Sequence, residues 1–335
     1  MPKTSSEAPT APAAPRLQRV HLHGPTMGTR WSVSCDLAPR ADGTTDAAAL
    51  TQALADAVAA VDAQMSPWKP ASDLVRLNAA PPGEWVALPP QMLQVLERAL
   101  QICRESGGAF DPAVGELVDA WGFGAARDAP DAAAIRATAQ APRTPAHERL
   151  ELDAAGGRAR KHAPLQLDLC GIAKGYGVDC LIEVLREHGV AHALAALDGE
   201  LRALGAQGHG EPWAVAVESP EPGRRAAHGV IEMQDLAVAT SGDYRHFVEV
   251  GGVRLAHTMD PRRGAPVRNE LAGVTVLARD CTSADAWATA LLVAGPTEGL
   301  AMARRAGLEA LFILRRQGRW VEMGLGRFGA GPGGD

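Results

Sequence analysis

Side chains able to do chemistry gather at four places in a chain otherwise rich in Ala, Gly and Pro. The first is Leu165–Gly175 (LQLDLCGIAKG), where Asp168 and Lys174 flank a Cys170-Gly171 turn. A carboxylate, a glycine turn and a lysine at a helix start leave free amides and the positive end of a helix dipole, which favour phosphate. A plain turn with a solvated Lys174 is the alternative. The second place is Thr240-Ser241-Gly242-Asp243-Tyr244, a small-residue turn after a strand. The third is His257-Thr258-Met259-Asp260-Pro261, followed by Arg262-Arg263-Gly264. Its histidine is either structural or an imidazole that accepts a proton from a hydroxyl attacking a metal-bound phosphate. The fourth, Cys281–Thr289, places Asp285 and Thr289 four residues apart, on one helix face about a turn from each other. A carboxylate and a hydroxyl so placed suit Mg²⁺, which takes few protein ligands beside phosphate oxygens and water. Thr282-x-x-Asp285 equally fits a capping box, with the acid serving a helix N-terminus.

These residues need elements to hold them. Gln18–His23 and Arg30–Cys35 read as strands around a Met27-Gly28-Thr29 turn that brings backbone close to a ligand. Asp46–Met65 reads as a helix, with Leu50, Leu54, Val58 and Val61 three or four residues apart. It must stop before Ser66-Pro67-Trp68-Lys69-Pro70, where two prolines forbid helix. Trp68 there either stacks on a planar ring or caps a hydrophobic edge. Pro89–Glu105 is a second helix, stopped by Gly107-Gly108, and Ala109-Phe110-Asp111-Pro112 opens a short helical piece towards Trp121. Asp128–Pro142 reads as a surface helix plus loop, and Leu150–Leu152 with Ala159–His162 as hairpin strands.

The central stretch itself reads as a short strand, Gln166–Leu169, then a helix carrying Val178, Leu181, Ile182 and Leu185. Short strands follow at Ala193–Leu197, Glu200–Ala203, Trp213–Val217, Val230–Met233, Ala237–Thr240, Phe247–Val250 and Val253–Ala256. Gly273–Leu277 is a strand, Ser283–Val293 and Glu298–Ala306 are helices, and Ala310–Leu314 with Trp320–Met323 closes as a hairpin. Turn-punctuated strands of this density predict an antiparallel or mixed sheet, hence an α+β chain with helices N-terminal and strands C-terminal.

The 335 residues suffice for one large domain, predicted over 18–328: helix-rich at 40–145, sheet-rich at 146–328, with tails at 1–17 and 329–335. A formal charge of -6 with both signs interspersed argues against a nucleic-acid surface. No apolar run is long enough to cross a membrane. The polar, proline-rich start (MPKTSSEAPTAPAAP) lacks the apolar segment of a secretory signal, which predicts a disordered tail and a cytoplasmic setting. Ala, Gly and Pro inflate the 46% hydrophobic content, which is therefore discounted as a sign of a dense core. Five scattered cysteines without a CxxC pair predict neither disulfides nor a zinc site. Cys170 is either a nucleophile or a small residue filling a tight turn. No P-loop and no well-placed GxGxxG is present.

Taken together, Met27-Gly28-Thr29, Ser106–Pro112 (SGGAFDP), Asp168–Tyr176 (DLCGIAKGY), Thr240–Tyr244 (TSGDY), His257–Pro261 (HTMDP) and Ala284–Thr289 (ADAWAT) resemble, in order, the ApbE family of FAD:protein FMN transferases. The match spans about residues 24–325. The resemblance implies an ApbE-like, T-fold-related sheet with packed helices. It implies that Met27, Ala109, Phe110 and Asp111 line an FAD site, and that Trp68, standing where the family usually has a tyrosine, stacks on the isoalloxazine. Asp168 would hold the adenine or ribose side, and Lys174 would contact the cofactor. The Gly171 carbonyl, Asp285 and Thr289 would bind Mg²⁺. His257 matches the family's candidate catalytic histidine, with Asp260 as a nearby carboxylate able to take the proton instead.

The implied activity is a Mg²⁺-dependent phosphoryl-type transfer of FMN from its substrate FAD to a threonine hydroxyl, releasing AMP. The implied partner carries a Ser/Thr-Gly-Ala-Thr-type motif, on a membrane redox-pump subunit or a flavin-dependent reductase. An FAD-storage protein and an FAD pyrophosphatase giving FMN and AMP are the alternatives. Cys170 replaces a usual glycine, and Arg263 stands where the family turn has threonine. The family's export signal or lipobox is missing too, although the resemblance itself implies a periplasmic or inner-membrane setting.

Overall fold

A computed structural model of the chain describes residues 17–39, 47–141, 143–220, 227–243, 247–250 and 253–329. Most of the predicted tails, together with Asp46, Pro142 and Tyr244, lies outside these residues. The centre of the fold is an eight-stranded sheet. Its strands are β1 (Gln18–Thr26), β2 (Thr29–Leu37), β3 (Ala193–Leu197), β4 (Glu200–Leu204), β5 (Ala237–Gly242), β6 (Leu271–Ala278), β7 (Glu309–Arg316) and β8 (Arg319–Leu325). Every neighbouring pair is antiparallel. Spatial order follows chain order, so the sheet is a meander with long insertions.

Three longer helices, α1 (Ala47–Met65), α3 (Ala173–Glu187) and α4 (Cys281–Arg305), pack against it, and a fourth, α2 (Pro90–Glu105), packs on α1 and α4. The two-residue period of a strand sorts its side chains between the faces. Ala237, Ala239, Val274, Val276, Ala310 and Phe312 turn to the helices. Val238, Leu277, Leu311 and Ile313 turn the other way. There a hairpin of Trp213–Glu218 and Ala227–Met233 covers them with Trp213, Val215, Ile231 and Met233. The result is helices, sheet and hairpin in three layers, in line with the expected α+β class.

The predicted periodicities produce the helices. Leu50, Leu54, Val58 and Val61 are the buried stripe of α1, which ends at Met65 ahead of Pro67. Proline occupies the first position of α2, where its missing N–H costs nothing. Gly107 and Gly108 end that helix in left-handed conformations, φ 59° and 78°, that residues with a Cβ avoid. The two helices expected at Ser283–Val293 and Glu298–Ala306 belong to one run, α4, interrupted where Gly295 turns to φ 77° before Pro296. A short helix at Asp73–Ala79, capped by the Ser72 hydroxyl accepting from the Val75 N–H (3.1 Å), was not anticipated.

Two expectations need correction. Gln166–Leu169 is extended but joins no sheet. Its partners are not a strand: the Leu167 N–H and carbonyl bond both ends of the Asn78 amide (2.8 and 2.9 Å), and the Asp168 N–H donates to the Pro112 carbonyl (2.8 Å). Alanine, discounted as core-forming, is what the densest part of the core uses. Ala284, Ala286, Ala288 and Ala290 of α4 are completely buried. Small side chains there let α4 lie almost on the backbone of α3, so composition understated the packing.

One carboxylate ties three elements together. Asp179 on α3 accepts from Arg202 on β4 (2.6 Å) and from the Cys281 and Thr282 amides that open α4 (both 2.9 Å). Removing it leaves an arginine and two helix N-terminal amides without their acceptor. Asp179→Ala is therefore expected to lower stability by about 3 kcal/mol or more. Equilibrium urea unfolding measures this, and a loss below about 1 kcal/mol would mean that water replaces the carboxylate.

Candidate active site

The first turn of α3 is where the chemistry-bearing residues meet. The stretch before it is positioned by Asn78 and Pro112, and the turn at Cys170 is closed by the Asp168 carboxylate, which accepts the Cys170 N–H (2.7 Å). Gly171 then passes beside Thr289 and Phe110. A Cβ on Gly171 would sit 3.3 Å from the Thr289 hydroxyl and 3.4 Å from the Phe110 ring. Thr289 in turn shares a hydrogen bond with Ser241 at the end of β5 (3.1 Å). Gly175 lies directly under α4. A Cβ there would fall 2.3 Å from the Cys281 carbonyl oxygen and 2.8 Å from the Asp285 Cβ.

That approach decides between the two readings of Asp285. The N-cap of α4 is Asp280, which accepts the Ser283 N–H (2.7 Å), so Thr282-x-x-Asp285 is not a capping box for its own helix. Asp285 instead crosses to α3 and accepts the Gly175 N–H (3.0 Å). It is 3% exposed. Burial pushes its carboxyl above the usual range, opposed by the nearby Lys174 ammonium and by the Gly175 bond.

Lys174 does not dangle in solvent. Its ammonium donates to Glu200 (2.9 Å) and lies 3.8 Å from Asp198. Burial works against its charge, but the Glu200 and Asp285 carboxylates outweigh that and hold its pKa above the ordinary lysine value. Glu200 is 2% exposed and was not among the residues expected at the site. Burial, reinforced by the Asp285 charge, raises its pKa against the pull of Lys174. A signal existed in Asp198-Gly199, a tight turn between two short alternating strands that brings both acids onto α3.

The remaining candidates fall around this centre to different degrees. Met27 and Gly28 (φ 45° and 70°) form the two-residue turn of the β1–β2 hairpin. The Met27 methyl reaches α3, 3.4 Å from where a Gly177 Cβ would be. Ala109 and Phe110 are buried, following a tight turn in which the Ser106 hydroxyl accepts the Phe110 N–H (3.1 Å). Asp111 turns away from Gly171 and accepts the Ala113 and Ala146 amides (2.9 and 3.2 Å), with burial raising its pKa. Trp68 stands 58% exposed on the loop after α1, free to present its ring.

His257 meets Phe123 edge to face, ring centres 6.4 Å apart. Asp260 is buried and accepts the Arg262 and Arg263 amides (3.0 and 3.3 Å), which makes it the brace of its own turn. Arg143 packs on that turn, donating to the Pro261 carbonyl (3.3 Å) and the Thr138 carbonyl (2.6 Å). Both departures from the family pattern, Cys170 and Arg263, are exposed to solvent.

Three hard oxygen donors of different kinds therefore sit close together: the Asp285 carboxylate, the Thr289 hydroxyl and the Gly171 backbone. This set fits Mg²⁺, which accepts a small number of protein oxygens when phosphate and water supply the rest. Among the described residues no three His, Cys, Asp or Glu side chains form a cage of their own. A cation here would thus depend on a substrate's oxygens to complete its shell.

The chain is similar in sequence and in fold to known proteins. The sequence matches the ApbE family over residues 27–312. A Vibrio cholerae protein named FAD:protein FMN transferase is 35% identical over 313 residues, covering 93% of this chain and 92% of that protein. The structure of the flavin transferase ApbE from Vibrio cholerae superposes with a TM-score of 0.82 at 34% identity, over 93% of this chain and 98% of that one. The apo flavinyl transferase ApbE of Pseudomonas stutzeri gives 0.81 at 35% identity, over 94% and 98%. By sequence and by fold, the chain belongs to the ApbE family.

Proposed function

We propose that this protein is a Mg²⁺-dependent FAD:protein FMN transferase that moves FMN from FAD to a threonine hydroxyl of an acceptor protein and releases AMP. The observation that carries the reading is the convergence of Gly171, Lys174, Asp285 and Thr289 at the start of α3, in a chain of this family. In the reaction the hydroxyl oxygen bonds to the FMN phosphorus, the bond to the AMP oxygen breaks, and the proton leaves the threonine. Asp285, Thr289 and the Gly171 carbonyl would hold Mg²⁺, which when bound neutralises charge on the pyrophosphate.

The other roles belong to the chain's own groups. Met27 and Phe110 line the floor against α3, and the exposed Trp68 ring offers a face for the isoalloxazine. Asp168 has one oxygen committed to its own turn, which leaves the other for a ribose or adenine donor. His257 is the better proton acceptor of the two candidates, because Asp260 is buried and occupied in bracing its own turn through the Arg262 and Arg263 amides. The acceptor fits the family's Ser/Thr-Gly-Ala-Thr type, carried on a membrane redox-pump subunit or a flavin-dependent reductase.

Mass spectrometry of a small acceptor domain carrying such a motif, incubated with the protein, FAD and Mg²⁺, tests this directly. One FMN gained on a threonine, abolished by EDTA, is the expected result. Free FMN and AMP without modification would mean a pyrophosphatase, and intact bound FAD would mean a carrier. Asp285→Asn keeps an oxygen for the Gly175 amide but removes the charge, so it should fold normally and lose at least ~100-fold in transfer rate. His257→Ala should bind FAD with unchanged affinity while transfer falls on the order of 100-fold or more. Full transfer by His257→Ala would eliminate the imidazole as the base. Cys170→Gly, which removes the thiol of an exposed residue, should transfer within about 3-fold of the parent, and a larger change would show that the thiol contacts substrate.

A further inference from the structure

The cluster around Lys174 is unbalanced in charge. Asp198, Glu200 and Asp285 surround a single ammonium. Glu200 gives that ammonium one oxygen, and its other oxygen, Oε2, is buried without a hydrogen-bond partner among the described residues. Asp198 is held in a left-handed conformation, φ 56°, to bring its acid alongside. Buried like charges and an unpaired carboxylate oxygen are expensive, and persist where a site uses them.

The position of Lys174 supplies the use. An ammonium on the same turn as Gly175, whose amide Asp285 accepts (3.0 Å), would by itself repel a divalent cation from that carboxylate. It would also hold an anionic substrate whether or not a cation were present. We propose that Glu200 is a positioning residue that neutralises Lys174, so that the Asp285–Thr289 site accepts a divalent cation and FAD binding is made to depend on it. Glu200 touches neither FAD nor the cation in this arrangement. It acts through the lysine. The inference rests on the proposed transferase reading.

Two readouts should then move in opposite directions. E200Q keeps the shape and a hydrogen bond to Lys174 while removing its nearest counter-charge, leaving Asp198 at 3.8 Å. Titrating Mg²⁺ against melting temperature with FAD present, E200Q should need about 10-fold more cation than the parent. Flavin fluorescence in EDTA should show it binding FAD at least as tightly as the parent. Parallel weakening of both would indicate a merely structural role and overturn the proposal, as would an unchanged Mg²⁺ response. Should E200Q fail to fold, Lys174→Gln gives the mirror test: tighter Mg²⁺ and weaker FAD in EDTA, with loss of both overturning the proposal. A parent protein whose melting temperature ignores Mg²⁺ would overturn the metal reading as well. A normal parent response with E200Q unchanged would overturn this inference alone.

Discussion

The constraint on which the site depends is the crossing of α3 and α4 at Gly175. A methyl group in place of the glycine hydrogen would stand 2.3 Å from the Cys281 carbonyl oxygen, well inside van der Waals contact. Only at this separation can Asp285 leave its own helix and bond the Gly175 amide. The same separation sets Thr289, one turn further along α4, against Gly171. Fully buried alanines alternate with larger residues such as Trp287 and Leu291 along α4, while α3 buries Val178, Leu181, Ile182 and Leu185. The site is thus a consequence of packing density: two backbones brought close enough that a side chain of one serves the free amide of the other.

From that crossing follows the electrostatic character of the site. The first turn of α3 presents the positive end of a helix dipole, and Lys174 adds a full charge. Asp285 and Glu200 answer both from within the core, one on the amide and one on the ammonium. Asp179 repeats the device one turn along α3, where it serves the opening amides of α4 and the Arg202 guanidinium. Acids on α3 and α4 are therefore exchanged, each completing the N-terminal turn of the other helix. Such reciprocal bonds fix the crossing in register as well as in distance, because a shift of one residue would break both.

How far this was legible in the sequence depended on the range of the interactions. The buried stripe of α1 and the two-residue turn at Met27-Gly28 are local patterns, and they were readable. So was the spacing of Asp285 and Thr289, which only needs a helix. What Asp285 does was not readable, since a capping box and a bond to a residue 110 positions away look alike in one sequence. Gln166–Leu169 misled for the same reason. Its alternation belongs to a real extended segment, but the partner is the side chain of Asn78, 89 residues earlier, and not a strand. Glu200 was hidden because it only opens a short strand candidate, Glu200–Ala203, and its partner Lys174 lies 26 residues earlier.

The two departures from the family pattern bear on the chemistry in a way that follows from where they point. A residue can alter a site by filling it, by changing its charge or by moving its backbone. Cys170 contributes its N–H to the Asp168 carboxylate, a bond that any residue but proline makes, and its thiol also lies against that carboxylate although the residue is exposed. Arg263 likewise gives its N–H to Asp260, and its side chain is exposed. Both positions thus close their turns through the backbone, a bond that the departure from the family pattern leaves intact. The groups that the chemistry needs are in the opposite situation. Gly175 has no room for a side chain, Asp285 is buried, and Lys174 is held between Glu200 and Asp198. Variation sits at exposed side chains on turns closed by the backbone, and constraint sits at the crossing of the two helices.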